Sequence, residues 1–336
     1  MEKKHSANFV IIIPIIIAMF NIFLVLNPTE MVSAGREGLL LWFNQVLPTL
    51  LPFVVGANLL AALGFIHFMG ALAAPIMVPI FKVPGAGAYA LLTGLTSGYP
   101  MGAKAVAHLR ETRQVTQQEA QRLISFCNNA GPLFVVGFVG AGLLGSVRLG
   151  YILLASHIIA ALVVGFVFRF IAGETFNEET PRGGISSKRS NNKQLKQAFE
   201  KFNEFRQSSY AGFGRALGQS VSNAMESMVL VGGYIIVFCV VIKALEIGGL
   251  FSVLGRGSGF AAGLLEVANG AKMLAQGNQP NPMTLAAISA IISFGGLSVH
   301  GQTAHFIRET DIKFGFYLAA KLFHALLSGI ICLIIV

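Results

Sequence analysis

The sequence predicts an all-α polytopic membrane protein of about seven transmembrane helices plus two re-entrant helical hairpins, organised as an inverted repeat of the kind found in transporters. Three observations carry that prediction. Of the 336 residues, 54% are hydrophobic and 12% are charged, and the mean hydropathy is +0.69; about a quarter of a soluble domain is charged. Several runs reach the roughly 20 apolar residues that a bilayer crossing needs. Finally, Gly102-Ala103-Lys104 returns in the second half as Gly270-Ala271-Lys272, and Ile124-Ser125-Phe126 returns in the same register as Ile292-Ser293-Phe294. Two triplets in one register suggest one unit present twice.

The first element is the apolar run 9–26 behind Met1-Glu2-Lys3-Lys4. It is longer than the 7–15 residues of a signal-peptide core, and Asn27-Pro28-Thr29-Glu30 is a poor cleavage site, so a retained helix with a cytoplasmic N-terminus is expected. Residues 39–43 hold the sole tryptophan, Trp42, read as an interfacial anchor. A span follows at 46–63. The stretch 66–81 carries Pro75 and Pro79 and reads as an interfacial or re-entrant helix.

Residues 89–113 form the first hairpin, two pieces too short to span on either side of Ser97-Gly98-Tyr99-Pro100-Met101-Gly102. Such a break frees backbone groups that lipid cannot satisfy, so it must line a cavity or pack in protein. Thr116-Gln117-Gln118-Glu119 has the capping-box pattern and starts a helix. That helix is broken at Asn128-Asn129-Ala130-Gly131-Pro132 and resumes to about 139, and 149–171 is a plain span. A polar, basic linker separates the halves.

The second half repeats the order. A span at 228–245 leads to a short piece at 250–254, a second hairpin at 258–276 and a turn at 278–282. A helix at 283–308, interrupted near Gly295-Gly296, and a final span at 314–336 complete it. The organisation is an N-terminal helix and external or interfacial segment (1–45), gate repeat 1 (46–172), a basic cytoplasmic linker (173–215) and gate repeat 2 (216–336). Three spans per half give the halves opposite orientation. The linker, Arg110, Arg113, Arg122, Arg308 and Lys313 then fall inside, against only Arg36, Arg148 and Arg256 outside. This asymmetry accounts for most of the net charge of +9 and leaves no role for nucleic acid. The three cysteines, all in apolar stretches without CxxC spacing, read as core residues.

The segments 38–53 (GLLLWFNQVLPTLLPF), 97–104 (SGYPMGAK), 123–134 (LISFCNNAGPLF) and 294–307 (FGGLSVHGQTAHFI) resemble the sporulation integral membrane protein YlbJ family. This family is also called stage V sporulation protein VV and carries nucleoside-recognition gate domains. The resemblance covers nearly the whole chain. It implies a multi-pass protein of the bacterial cell membrane, specifically the outer forespore membrane, that moves dipicolinic acid during sporulation. It also implies likeness to the core of concentrative nucleoside transporters, whose repeats follow the same order of interfacial helix, hairpin, broken helix and span.

Candidate substrate residues are those at the breaks. Lys104 and Lys272 follow the two hairpin turns; an intramembrane lysine is costly, and two of them beside half-helix N-termini suit a dicarboxylate. Ser97, Gly98, Tyr99, Asn128 and Asn129 serve in the first half, and Ser298, His300 and Gln302 in the second. Glu266 and His300 are ion-coupling candidates, Glu266 by pairing with a lysine or a cation and His300 by titrating near neutrality. Glu226 reads as the boundary residue of a span and Lys243, Glu246 and Lys321 as lying near interfaces, although Lys321 sits well within its run and is less easily dismissed; His67, His108, His157 and His324 read as isolated structural residues. No nucleotide-binding loop or hydrolase triad occurs, and the histidines lack further ligands for a metal, so neither enzyme nor cofactor is expected. The expected partners are a small anionic solute and the bilayer, with room for a homo-oligomer. The rivals are a sodium- or proton-coupled nucleoside carrier and a non-transporting assembly factor of the spore envelope.

Overall fold

In a computed structural model, residues 7–171, 212–276 and 281–336 are described. The basic linker, apart from its last residues, and most of the turn expected at 278–282 lie outside them. All regular structure among the described residues is helical. An N-terminal helix α1 (Ala7–Leu26) leads into α2 (Pro28–Ala62), one 35-residue rod where the sequence suggested two pieces. Pro48 has no N–H to give the preceding turn. The chain answers with a widened π turn at Trp42–Val46, immediately before the proline, and the rod continues. The boundary drawn at 45/46 therefore falls inside a helix.

After α3 (Phe65–Phe81) comes the first hairpin, α4 (Gly87–Ser97) and α5 (Met101–Glu111). Its tip turns at Gly98, whose φ of +79° favours glycine, and the Tyr99–Pro100 peptide is cis. The first broken helix is α6 (Gln117–Cys127) and α7 (Leu133–Leu143), the latter wound as a π-helix. The Thr116 hydroxyl accepts from Glu119 N while the Glu119 carboxylate accepts from Thr116 N at 2.8 Å, the capping box expected at this start. Helix α8 (Val147–Ile171) closes the half.

The second half begins with α9 (Phe213–Ile247), as long as α2 and packed along it. A short α10 (Leu250–Leu254) leads to the second hairpin, α11 (Ser258–Leu265) and α12 (Val267–Ala275), with Glu266 alone between them. The second broken helix, α13 (Pro282–Phe294) and α14 (Gly296–Ile307), turns at Gly295 and Gly296, both with positive φ. Helix α15 (Phe314–Ile335) is last and packs against α13 and α8.

Among the described residues, five helices are long and apolar enough to cross a membrane: α2, α8, α9, α13 with α14, and α15. The other two expected spans appear as shorter apolar pieces, Ile12–Leu26 and Leu133–Leu143. The second is short because the 128–132 break cuts its helix, and the polar α6 half does not add apolar length. Large apolar side chains on the long helices are exposed, among them Ile16, Val25, Val229 and Leu326. Exposed apolar surface on this scale belongs to a chain solvated by lipid.

Trp42 does not stand free as an anchor. Its indole N–H donates to the Met228 carbonyl at 2.9 Å, and the ring lies where a Cβ on Gly232 would come within 2.7 Å of it. A glycine in α9 thus lets the tryptophan of α2 lock the two rods together, a pairing invisible at a sequence distance of 186 residues.

Candidate functional site

All four chain breaks meet at one cavity of about 200 Å³. Hairpin one brings Gly98 and Tyr99, hairpin two Glu266, Val267 and Ala268, and the broken helices Gly131, Leu133 and Phe134 on one side and Ser298, Val299 and Gln302 on the other. The long rods close it with Gln45, Thr49, Val231 and Ile235. Tyr99 meets the Phe134 ring edge-on at 6.4 Å between centroids, and Phe134 stacks on Phe138 at 5.5 Å, giving one apolar aromatic wall.

The breaks present the N-terminal ends of α5, α7, α12 and α14 to this cavity. The opening N–H groups of a helix have no partner within it. At α12 the Glu266 carboxylate takes them, accepting from Ala268 N at 3.1 Å and Asn269 N at 2.8 Å, and also from Asn269 Nδ2 at 2.8 Å. Among the described residues no side chain caps α5, α7 or α14. Glu266 was expected to pair with a lysine or a cation; among the described residues no lysine pairs with it, and its oxygens serve the helix start.

Six of the sequence-predicted residues carry a buried polar atom without a hydrogen-bond partner among the described residues: Ser97 Oγ, Tyr99 Oη, Asn128 Oδ1, Asn129 Oδ1, His300 Nε2 and Gln302 Oε1. Native proteins seldom leave such atoms unpaired, so their gathering at the breaks marks a place built to receive polar groups. Tyr99 and Gln302 line the cavity directly, and Gln302 Nε2 donates to Ser298 Oγ at 3.3 Å.

The two lysines do not converge there. Lys104 lines a second cavity of about 590 Å³ with Asn58, Thr93 and His108, where its Nζ donates to Ser227 Oγ at 2.7 Å and sits 5.6 Å from the Phe306 ring. Lys272 lines a third, of about 500 Å³, with Glu30, Glu37, Lys243 and Glu246. Each lysine lies on the outgoing arm of its hairpin and faces a rod rather than the shared tip, because the arms diverge from the point where the tips meet.

Sequence reading gave no role to a lysine that the fold buries almost completely. Lys321 is 1% exposed, and its Nζ donates to the Asn128 carbonyl and to His324 Nδ1 at 3.2 Å. His324 and His157, read as isolated, are part of the same network. His324 Nε2 donates to the His157 carbonyl at 3.0 Å; His157 Nε2 accepts from Ala130 N at 3.0 Å, so its Nδ1 donates to Ser293 Oγ at 2.7 Å. On the other side of the break, Asn128 Nδ2 donates to Thr303 Oγ1 at 2.9 Å and to Tyr317 Oη at 3.1 Å. Thr303 donates to Tyr317 Oη at 3.3 Å, which leaves the tyrosine proton for His300 Nδ1 at 3.1 Å. The available signal was a lysine in the middle of an apolar run with a histidine three residues on.

Five spanning-length apolar helices, with chain breaks buried around a polar-edged cavity, define a multi-pass integral membrane protein. A family model described as Gate, nucleoside recognition, matches residues 43–176. The chain is 30% identical over 340 residues to the sporulation integral membrane protein YlbJ of Bacillus subtilis (strain 168), covering 96% of this chain and 82% of that protein. No solved structure matches. The chain belongs to the YlbJ family.

Proposed function

We propose that this protein is a membrane transporter whose central cavity binds a small anionic aromatic solute, with dipicolinate the first candidate. The observation that carries the reading is the meeting of four chain breaks at one cavity, with three helix N-termini left uncapped there. Uncapped N-termini favour carboxylates through their free N–H groups and partial positive charge. The Tyr99 and Phe134 wall suits a flat ring. The two halves, taken as inverted repeats, would rock against each other around this site to give alternating access. Lys104 and Lys272 then act in the two larger cavities as approaches, raising the local concentration of an anion. The name of the Bacillus subtilis relative supports a role in sporulation and hence a place in the forespore membranes.

A second reading, a nucleoside carrier, is favoured by the gate-family description and by the lack of a basic side chain among the residues lining the central cavity. Uptake of labelled dipicolinate by proteoliposomes, with excess uridine as competitor, separates them. Accumulation of dipicolinate that uridine does not reduce is the expected result. Uptake of uridine alone transfers the site to the second reading. Uptake of neither, together with retention of a protein partner by the purified chain, would point to an assembly factor.

A further inference from the structure

Lys321 presents a problem that solute binding does not explain. Its side chain is enclosed by α15 itself, α6, α8, α13 and α14. The titratable groups around it are Cys127 on α6, His157 on α8, His300 on α14, and Tyr317 and His324 on α15. Among the described residues no carboxylate pairs with it. A buried ammonium is costly unless it is paired and fully hydrogen-bonded, yet Nζ has two acceptors, the Asn128 carbonyl and His324 Nδ1. An ammonium has three N–H donors and leaves one of them unused; a neutral amine has two and satisfies both acceptors. The site therefore keeps its hydrogen bonds in either protonation state.

The histidine beside it is fixed to support this. His324 Nε2 gives its proton to the His157 carbonyl, and in the neutral ring Nδ1 then accepts from Lys321 Nζ. His157 is likewise held neutral by the Ala130 amide on one nitrogen and Ser293 on the other. Neither ring supplies the missing counter-charge. What favours the ammonium is the carbonyl of Asn128, at the C-terminal end of α6, where the helix dipole is negative. The same Asn128 reaches Thr303 and Tyr317 through its side chain. One residue of the break thus links Lys321 to α14, which borders the central cavity.

We propose that Lys321 is a proton-binding site that couples solute movement to protons; this rests on the transporter reading above. The charged form holds the α6 end of the break. When the break opens, Nζ gives one proton to an admitted water, the N–H bonding pair remains as the amine lone pair, and the ammonium's hold on the break weakens. Protonation by hydronium reverses the step. A tethered ammonium at this helix end also occupies the position where a free metal cation would be stabilised, so sodium has no role at this site.

The test uses the full chain in proteoliposomes, with and without sodium, with dipicolinate and uridine as probes under an imposed pH gradient. Wild-type protein is expected to concentrate the solute it carries, for a neutral probe and one proton per solute by up to about tenfold per pH unit. Lys321→Arg, fixed in the charged form, and Lys321→Met, without charge, are expected to retain solute counterflow and lose concentration by the gradient. Gradient-driven accumulation by Lys321→Arg at the wild-type level, or wild-type accumulation driven by sodium and indifferent to pH, overturns the proposal. If the wild type moves neither probe, the transporter reading fails, and the proton site is judged on purified protein. The thermal midpoints of wild type and Lys321→Met between pH 5 and 9 should then diverge with pH, and parallel curves overturn it.

Discussion

The two Gly-Ala-Lys hairpins share a sequence signature and use it differently. In the first, Gly102 and its neighbour across the hairpin, Gly94, face the end of α6: a Cβ on either would lie within 2 Å of the Cys127 carbonyl oxygen. In the second, Gly270 faces Gly263 of its own hairpin, and a Cβ there would lie 2.1 Å from the Gly263 Cα. The first pair seats a hairpin on the broken helix; the second closes a hairpin on itself. The tips differ in the same way. Glu266 caps the outgoing helix of the second, whereas the first turns through Gly98-Tyr99-Pro100 and leaves α5 uncapped. A repeated motif can preserve the path of the backbone while one copy is made rigid and the other is left open toward a cavity.

The largest expected effects come from these glycines. Gly102→Ala and Gly270→Ala should each destabilise the protein by about 3 kcal/mol or more, since backbone must move to admit the methyl group. Hydrogen exchange would then separate them: the first should loosen residues 126–131, the second residues 259–275. Equal loss of protection in both regions for both variants would break the distinction drawn here.

Next in size is the cap. Glu266→Ala should cost about 2 kcal/mol in thermal or denaturant unfolding, because it leaves one buried and one part-buried helix amide without their acceptor. Thr116→Ala, at a less enclosed helix start, should cost about 1 kcal/mol. A neutral Glu266→Ala would mean that the second tip is no more closed than the first.

Tyr99→Phe sharpens the contrast from the other side. The hydroxyl has no partner among the described residues, so stability should change by less than about 0.5 kcal/mol. Dipicolinate binding, followed by thermal shift or calorimetry, should weaken about fivefold, the worth of one hydrogen bond. A large loss of stability with unchanged binding would assign the hydroxyl to the scaffold.

The smallest effect concerns how hairpin one is tied at its far end. Arg110 of α5 binds both oxygens of Asp311, at 2.9 and 2.7 Å, in the turn before α15. This hydrogen bonding holds the Asp311 carboxyl below the usual carboxylate range. A carboxyl with a lowered folded-state value stabilises above its unfolded value and loses that contribution as pH falls through the folded one. Asp311→Asn should therefore lower the thermal midpoint slightly at neutral pH, and the two curves should converge below the ordinary carboxylate range. Screening limits this exposed pair to a small contribution.

Local chemistry made much of the scaffold readable. Gly98, Gly295 and Gly296 mark breaks because their positive φ favours glycine, Pro100 and Pro132 because a proline gives no N–H to a continuing helix, and Thr116 with Glu119 marks a helix start through a contact three residues apart. The breaks also named Gly98, Tyr99, Glu266, Ser298 and Gln302 among the residues now found around the central cavity. Two sets of contacts lay beyond sequence reading for a common reason. Trp42 and Lys321 are defined by partners 186 and 193 residues away, and no local pattern encodes those partners. The 35-residue continuity of α2 escaped because a π turn absorbs Pro48, and only packing along α9 makes that irregular turn worth keeping.

Composition determined that this is a multi-pass helical membrane protein, since lipid allows few backbones and punishes each unsatisfied break. Tertiary structure alone decided what the duplicated lysines face. Hairpin tips can meet while their arms diverge, so Lys104 and Lys272 were carried into separate cavities. A third lysine, with nothing to mark it but its place in an apolar run, was set against the end of the broken helix, where the carbonyl dipole and a neutral histidine accept its protons.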